Sequence, residues 1–315
     1  MNTEIASPDI RNLPDELFTA AGFDARRAED IGYSNYSYWR STLRTFFKSH
    51  LVKVLLAAVA VLIVFTFLYP VFSDIDPHTV SLSPSGWNAD PSAAHPFGTD
   101  GVGRDIWARV WHGTRMSLLL AFVVAAVHVG CGVVLGSIWG YSKRLDPLFF
   151  GIYNIMTNIP STIYTVLIAY VVRPSFITII IALVSTGWIT EARWFRNRIL
   201  TLREADYNTA SRCLKTPMRR IISHNIVPHI MSLIIMDVAL TIPYSIGSEV
   251  FLSFIGLGIP SEWVTLGNLV NQSRSAFLVY PFQMLFPTAI LCLITVSFYI
   301  IGNRFADASD PKNHV

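Results

Sequence analysis

The chain has 315 residues, of which 52% are hydrophobic and only 14% charged, well below the roughly 25% charged residues of a soluble domain. That balance excludes an ordinary soluble enzyme and predicts an all-α, polytopic membrane protein. The net charge of +3 speaks of membrane topology, and no nucleic-acid partner is expected.

Residues 1–30 carry Pro, Asp, Glu and Ser without clean periodicity and read as a tail. A cleavable signal peptide is not expected, because about fifty polar residues precede the first apolar run. Trp39, Leu43, Phe46 and Phe47 then recur at helical spacing, while Arg40, Arg44 and Lys48 form a basic stripe. This suits a helix in the inner membrane interface, its aromatic side in membrane lipid; the plain start of the first span fits nearly as well. Residues 1–50 are assigned to this tail and helix, and 51–315 to a transmembrane domain.

Six windows can cross a bilayer of ~30 Å, which takes about 20 residues each: 52–72, 116–141, 148–171, 175–190, 227–250 and 283–302. The fourth is short, and either tilts little or begins within Val171–Pro174. Polar residues inside several windows predict helices packed on one another. With the N-terminus inside, the inner segments hold 7, 2, 8 and 2 Lys and Arg, or 19 of the 24. Arg104, Arg109, Arg115, Arg173 and Arg274 fall outside, so both termini are predicted to be cytoplasmic.

The basic loop at 191–226 reads as a short, capped helix pair. Thr201 and Glu204 suggest a capping box ahead of Leu202, Ala205, Ala210 and Leu214, predicting a helix over 202–215. Thr216-Pro217 ends it, and the same pair can start a second helix with Pro217 at the first helical position. Asp237 lies mid-way along the fifth window and Glu249 near its outer end; ionisable residues there are candidates for a transport path. For Glu249 a structural hydrogen bond is the competing reading, and for His128 packing outweighs proton relay. Gly256–Pro260 reads as a turn.

No phosphate-binding loop, His-x-x-x-His, Cys-x-x-Cys or Gly-x-Ser-x-Gly pattern is present. Neither catalysis nor a metal site is expected, and Cys131, Cys213 and Cys292 read as structural thiols. Six spans without an energy-converting motif suggest that the motor is another polypeptide.

Three blocks carry a resemblance. His95 through Asp105 (HPFGTDGVGRD), continuing to Ser117, Glu249–Gly258 (EVFLSFIGLG) and Gly302–Pro311 (GNRFADASDP) closely resemble permease subunits of the oligopeptide and dipeptide "C-type" branch of ABC importers. With Tyr36-Ser37-Tyr38-Trp39 and the long tail, the chain looks most like the oligopeptide permeases of Gram-positive bacteria. The family's coupling motif falls on Thr209-Ala210-Ser211, its glycine on Lys215, and its Ile-x-Leu-Pro on 225–228. Ala210 and Pro228 keep their types, while the Glu and Gly are replaced. Another backbone geometry at Lys215 would avoid left-handed strain there, and Glu204 and Asp206 would supply acidity lost at Thr209.

The resemblance implies a type I ABC importer permease fold of about six helices in a bacterial cytoplasmic membrane, moving peptides by alternating access. It implies a second permease subunit, two cytoplasmic ATPase subunits that bind ATP and Mg, and an extracellular solute-binding lipoprotein. No cofactor is expected on this chain. Leu202, Glu204, Ala205, Asp206, Tyr207, Thr209, Ala210, Ser211, Leu214, Lys215 and Pro217 would form the ATPase-coupling helix. Phe97, Gly98, Thr99, Asp100, Gly103, Arg104 and Asp105 form the outer motif, read equally as a locally paired turn or as a contact with the solute-binding protein. A self-sufficient ion- or proton-coupled transporter, or an ABC permease for nickel or another small solute, are the alternatives.

Overall fold

The computed structural model describes residues 38–310, and the tail expected over 1–30 lies outside them. The chain divides into two units, Met1–Ser41 and Thr42–Val315. A helix, α1 (Tyr38–Phe46), crosses the boundary, and the second unit holds α2 (His50–Phe72), α3 (Ile106–Tyr141), α4 (Asp146–Thr157), α5 (Ser161–Val172), α6 (Phe176–Arg203), α7 (Asp206–Cys213), α8 (Met231–Phe254), α9 (Leu266–Ser273) and α10 (Phe282–Ser309). No strand occurs among the described residues.

Four helices, one of them running Met218–Phe254, are each long and apolar enough to cross a membrane, and two bent segments raise the number to six. The third predicted span is broken: α4 and α5 meet at 78°. Pro160 explains the break, since it lacks an N–H and pushes Ile159 out of the helical region. The fourth window lies in a longer helix: α6 runs for 28 residues, with a bend of 41° between Phe176–Ser185 and Gly187–Arg203, and Arg193, Arg196 and Arg203 lie on it beyond the apolar stretch.

The second span starts at Ile106, ten residues earlier than its apolar window, because Asp105 caps it by accepting from Ala108 N at 2.9 Å. At 36 residues α3 is ~54 Å long, and it packs against α2, α6, α8, α9 and α10. Gly132, Gly136 and Gly140 form one small-residue stripe against α6: a Cβ on Gly136 would stand 2.6 Å from the Ala192 carbonyl oxygen, and one on Gly132 2.8 Å from Glu191 Cβ. Backbones this close pack by van der Waals contact without a side chain between them. Leu118, Ala121 and Ala125 of α3 meet Leu62, Ile242, Ile246 and Ile294 in the main apolar core. By contrast α2 buries Val52, Val59, Leu62 and Thr66 and leaves Val54, Val61, Val64 and Leu68 exposed, the pattern of a helix with a lipid-facing side.

The aromatic stripe before the first span is divided. Leu43 and Phe47 are exposed, but Phe46 is buried edge-on against Phe305, with ring centroids 5.5 Å apart, so it is a core residue and not part of a lipid-facing side.

Candidate functional site: a mid-span acidic cavity and a clamped loop helix

Between α3, α5, α6 and α8 lies a cavity of about 330 Å³ whose wall includes His128, Ser161, Glu191, Asp237, Thr241 and Tyr244. Gly187 lets the His128 ring pack directly on α6, since a Cβ there would come within 2.0 Å of Cε1. The His128 ring is buried and its Nε2 lies 3.1 Å from the Leu183 carbonyl oxygen, in keeping with a packed role. Glu191 and Asp237 face each other across the cavity wall, and Asp237 Oδ2 is buried without a hydrogen-bond partner. Among the lining residues no Lys or Arg balances them. A second cavity of about 320 Å³ shares Ser161 and Tyr244 with the first and continues past Thr165 to Ser248 and Phe251. Asp237, Thr241, Tyr244, Ser248 and Phe251 follow helical spacing, so α8 presents one mixed polar and aromatic stripe to both cavities.

Glu249 is not on that stripe. It is fully buried, and its Oε1 accepts from Ser253 Oγ at 2.9 Å and Thr265 Oγ1 at 2.8 Å. It fastens α8 to the start of α9, the structural hydrogen bonding that is the competing reading of this residue. Glu191, absent from the sequence-based candidates, lies in the cavity wall beside Asp237.

At the far end of α3 the basic loop is shorter than expected, because α6 and the Met218–Arg220 turn reach into it. The capping box does not form: Thr201 lies within α6, donating to the Asn197 carbonyl at 3.4 Å, and Glu204 closes that helix. Leu202 therefore belongs to α6. The loop helix is α7 alone, Asp206–Cys213, with Ala205 as its N-cap. Pro217 is the N-cap of the next helical turn, one residue earlier than its expected place inside it.

Lys215 adopts φ +58°, the left-handed geometry its replacement of glycine was expected to avoid. Two hydrogen bonds define the turn, Lys215 N to Arg212 O at 2.9 Å and Thr216 N to Ser211 O at 3.0 Å, a Schellman ending. Glu204 is engaged by Arg203 at 2.8 Å and Arg212 at 3.7 Å, and the Arg203 hydrogen bond holds its carboxyl below the usual carboxylate range. Its charge is thus matched within the loop.

Asn208 positions α7. Its Nδ2 donates to Leu202 O at 2.9 Å, capping α6, and its Oδ1 accepts from Asn225 Nδ2 at 2.9 Å. Asn225 sits in a π-helical segment, Ile221–Ile226, and a 3-10 turn, Val227–Ile230, follows; Pro228 disrupts regular α-helical bonding at this junction. Tyr207 stacks on the His229 ring at 5.6 Å. Thr209, Ala210 and Leu214 remain exposed, Leu214 by 82%, and Ser211 is half-buried.

At the other end of α3 the 97–105 segment is a folded turn. Thr99 bridges Asp105, Asp100 pairs with Arg104 and Arg109, and Asp105 Oδ2 lies 2.6 Å from His95 Nδ1. Phe97 stacks on Phe286 at 4.1 Å. Gly98 and Gly103 carry φ of +75° and +76°, which only glycine adopts at low cost.

Residues 132–315 match the family described as binding-protein-dependent transport system inner membrane component. The chain belongs to this family. It is 35% identical to the oligopeptide transport system permease protein AmiD of Streptococcus pneumoniae, over 97% of this chain and 100% of that one. It is 34% identical to the oligopeptide transport system permease protein OppC of Bacillus subtilis, over 96% and 99%, and 32% identical to that organism's dipeptide transport system permease protein DppC, over 99% and 98%. The protein is therefore a multi-pass permease of the cytoplasmic membrane and one component of a larger transport system. The matched region holds both acidic cavity residues and the whole of α7.

Sequence reasoning missed Glu191, Asn208 and Asn225. Glu191 stands where the apolar run gives way to the basic loop, and Gly187, Thr190 and Glu191 share one helical face. Asn225 falls on the first position of the family's Ile-x-Leu-Pro motif, and no local pattern pairs it with Asn208, seventeen residues away.

Proposed function

We propose that this chain is one of two permease subunits of an ATP-driven importer of oligopeptides. The observation that carries this reading is the likeness, end to end, to oligopeptide permeases. Two cytoplasmic ATPase subunits supply the work, and an external binding protein delivers the peptide. Both termini and α7 face the cytoplasm, and residues 75–113 and 255–280 face outward, in line with the 19 to 5 division of basic residues.

In this reading α7 docks on an ATPase through Ala210, Thr209 and Leu214. Asn208 joins it to the end of α6 and to the π-helical segment that leads into α8, so its displacement moves the helices that wall the acidic cavity. Alternating access follows when the ATPases close and open. The cavity supplies two carboxylates and several hydroxyls and no protein cation, which suits the ammonium group at a peptide amino terminus. A gradient-driven transporter would use the same carboxylates as a relay, but the loop helix would then have no partner.

Uptake by the assembled transporter tests this. Glu191→Gln together with Asp237→Asn should reduce uptake of a free-amine peptide about tenfold, the scale of one lost charged hydrogen bond, and should affect its N-acetylated form much less. Equal loss for both peptides, with normal assembly, would reject the ammonium role. Uptake without ATPase subunits would reject the importer.

A further inference from the structure

The loop before α3 and the loop between α9 and α10 enclose a pocket of about 260 Å³ at the end of the molecule away from α7. Its charge is unbalanced. Asp100 is the one acid among the lining residues, and its Oδ2 accepts from both Arg104 Nε, at 2.7 Å, and Arg109 Nη1. Its Oδ1 is occupied by the N–H groups of Val102 and Arg104, at 3.1 and 2.9 Å. Gln272 Oε1 accepts from Arg109 Nη2 at 2.9 Å but brings no charge. One positive charge is left over in the wall. Arg109 is only 1% exposed and its Nε has no acceptor, an expensive position for a cation that shares its sole counter-ion.

Exposed apolar side chains lie on the same two loops, one of them, Val102, in the pocket wall itself. Leu82 is 99% exposed and Leu278 94%, with Trp87, Val102 and Val279 also exposed. None of the five lies on a spanning helix, so lipid contact along a span does not account for them. A charged pocket among exposed apolar groups has the composition of a protein-docking face.

We propose that this pocket receives a carboxylate side chain of the external binding protein, with Arg104 as its principal partner and Leu82 and Leu278 packing beside it. Arg104 suits the role because its guanidinium is partly exposed while that of Arg109 is buried, and a planar fork can hold Asp100 and a second carboxylate together. The carboxyl terminus of the transported peptide fits less well, since the pocket shares no lining residue with the acidic cavity. The proposal rests on the reading above that this end faces outward.

The full transporter in proteoliposomes, titrated with its own binding protein, provides the test; the quantity read is the binding-protein concentration giving half-maximal stimulation of ATP hydrolysis. Arg104→Gln should raise it about tenfold and weaken its dependence on salt, as loss of an interfacial charge pair does. Arg104→Lys should recover part of the loss. Leu278→Glu, at a site too exposed to affect folding, should also raise it by placing a like charge beside the incoming acid, and it decides the matter if Arg104→Gln does not assemble. Unchanged half-stimulation in Leu278→Glu and in any assembled Arg104→Gln would overturn the docking site. Labelling of Val102→Cys by an impermeant maleimide in intact cells separates the two readings. Labelling with unchanged half-stimulation removes only the docking site, whereas no labelling removes the outward orientation and the docking site with it.

Discussion

Lys215 shows how a single residue departs from its family without changing the local fold. A left-handed non-glycine residue costs about 1–2 kcal/mol, yet the two closing hydrogen bonds of the turn are present, and its ammonium group complements the negative end of α7. Lys215→Gly should therefore raise the thermal midpoint of the purified transporter slightly or leave it unchanged; a clear fall would mean that the lysine charge outweighs the strain. Gly136 carries the opposite lesson. A side chain there meets the Ala192 carbonyl oxygen at 2.6 Å, while one at Gly130 meets nothing within 4 Å. Gly136→Leu should force α3 from α6, cost about 1–3 kcal/mol or more and lower the yield of assembled protein. Gly130→Leu should match the unaltered protein in the same yield measurement. Equal yields for the two variants would show that the glycine stripe is not a tight contact.

At the scale of elements, the spans were legible because apolar length is a local property of the chain, and bilayer thickness fixes what it must be. Their ends were not. α3 begins ten residues before its apolar window because Asp105 caps it, and α6 outruns its window because helix and apolar stretch need not share a boundary. Pro160 was visible in the third window, but composition alone averaged over it. The loop helix was found and its boundaries were misplaced, since Thr201 and Glu204 match a capping pattern that the continuing α6 overrides. Asn208 is the element-level test. Replacing it by Leu removes the cap on α6 and the bond to Asn225 while leaving the exposed face of α7 intact. Asn208→Leu should retain ATP hydrolysis in the assembled transporter and lower the peptide taken up per ATP. Ala210→Trp, on the exposed face, should instead weaken docking and depress both. If Asn208→Leu transports with unaltered stoichiometry, the clamp does not transmit motion.

For the whole molecule, the two ends of α3 carry different kinds of chemistry. One end holds the ion-paired turn of Asp100, Arg104 and Arg109; the other holds Arg203, which donates to the Gly140 carbonyl, and the basic loop with α7. In the proposed orientation, which the positive-inside asymmetry supports, the second end faces the cytoplasm, where an ATPase would reach it, and the first faces an external partner. Arg219→Cys, in a background lacking Cys131, Cys213 and Cys292, should resist an impermeant thiol reagent in intact cells and react once the membrane is opened. Leu82→Cys should react without opening it. The reverse pattern would put α7 and the Arg104 pocket on the wrong sides of the membrane for an importer, because an ATPase docked outside the cell would have no ATP to hydrolyse.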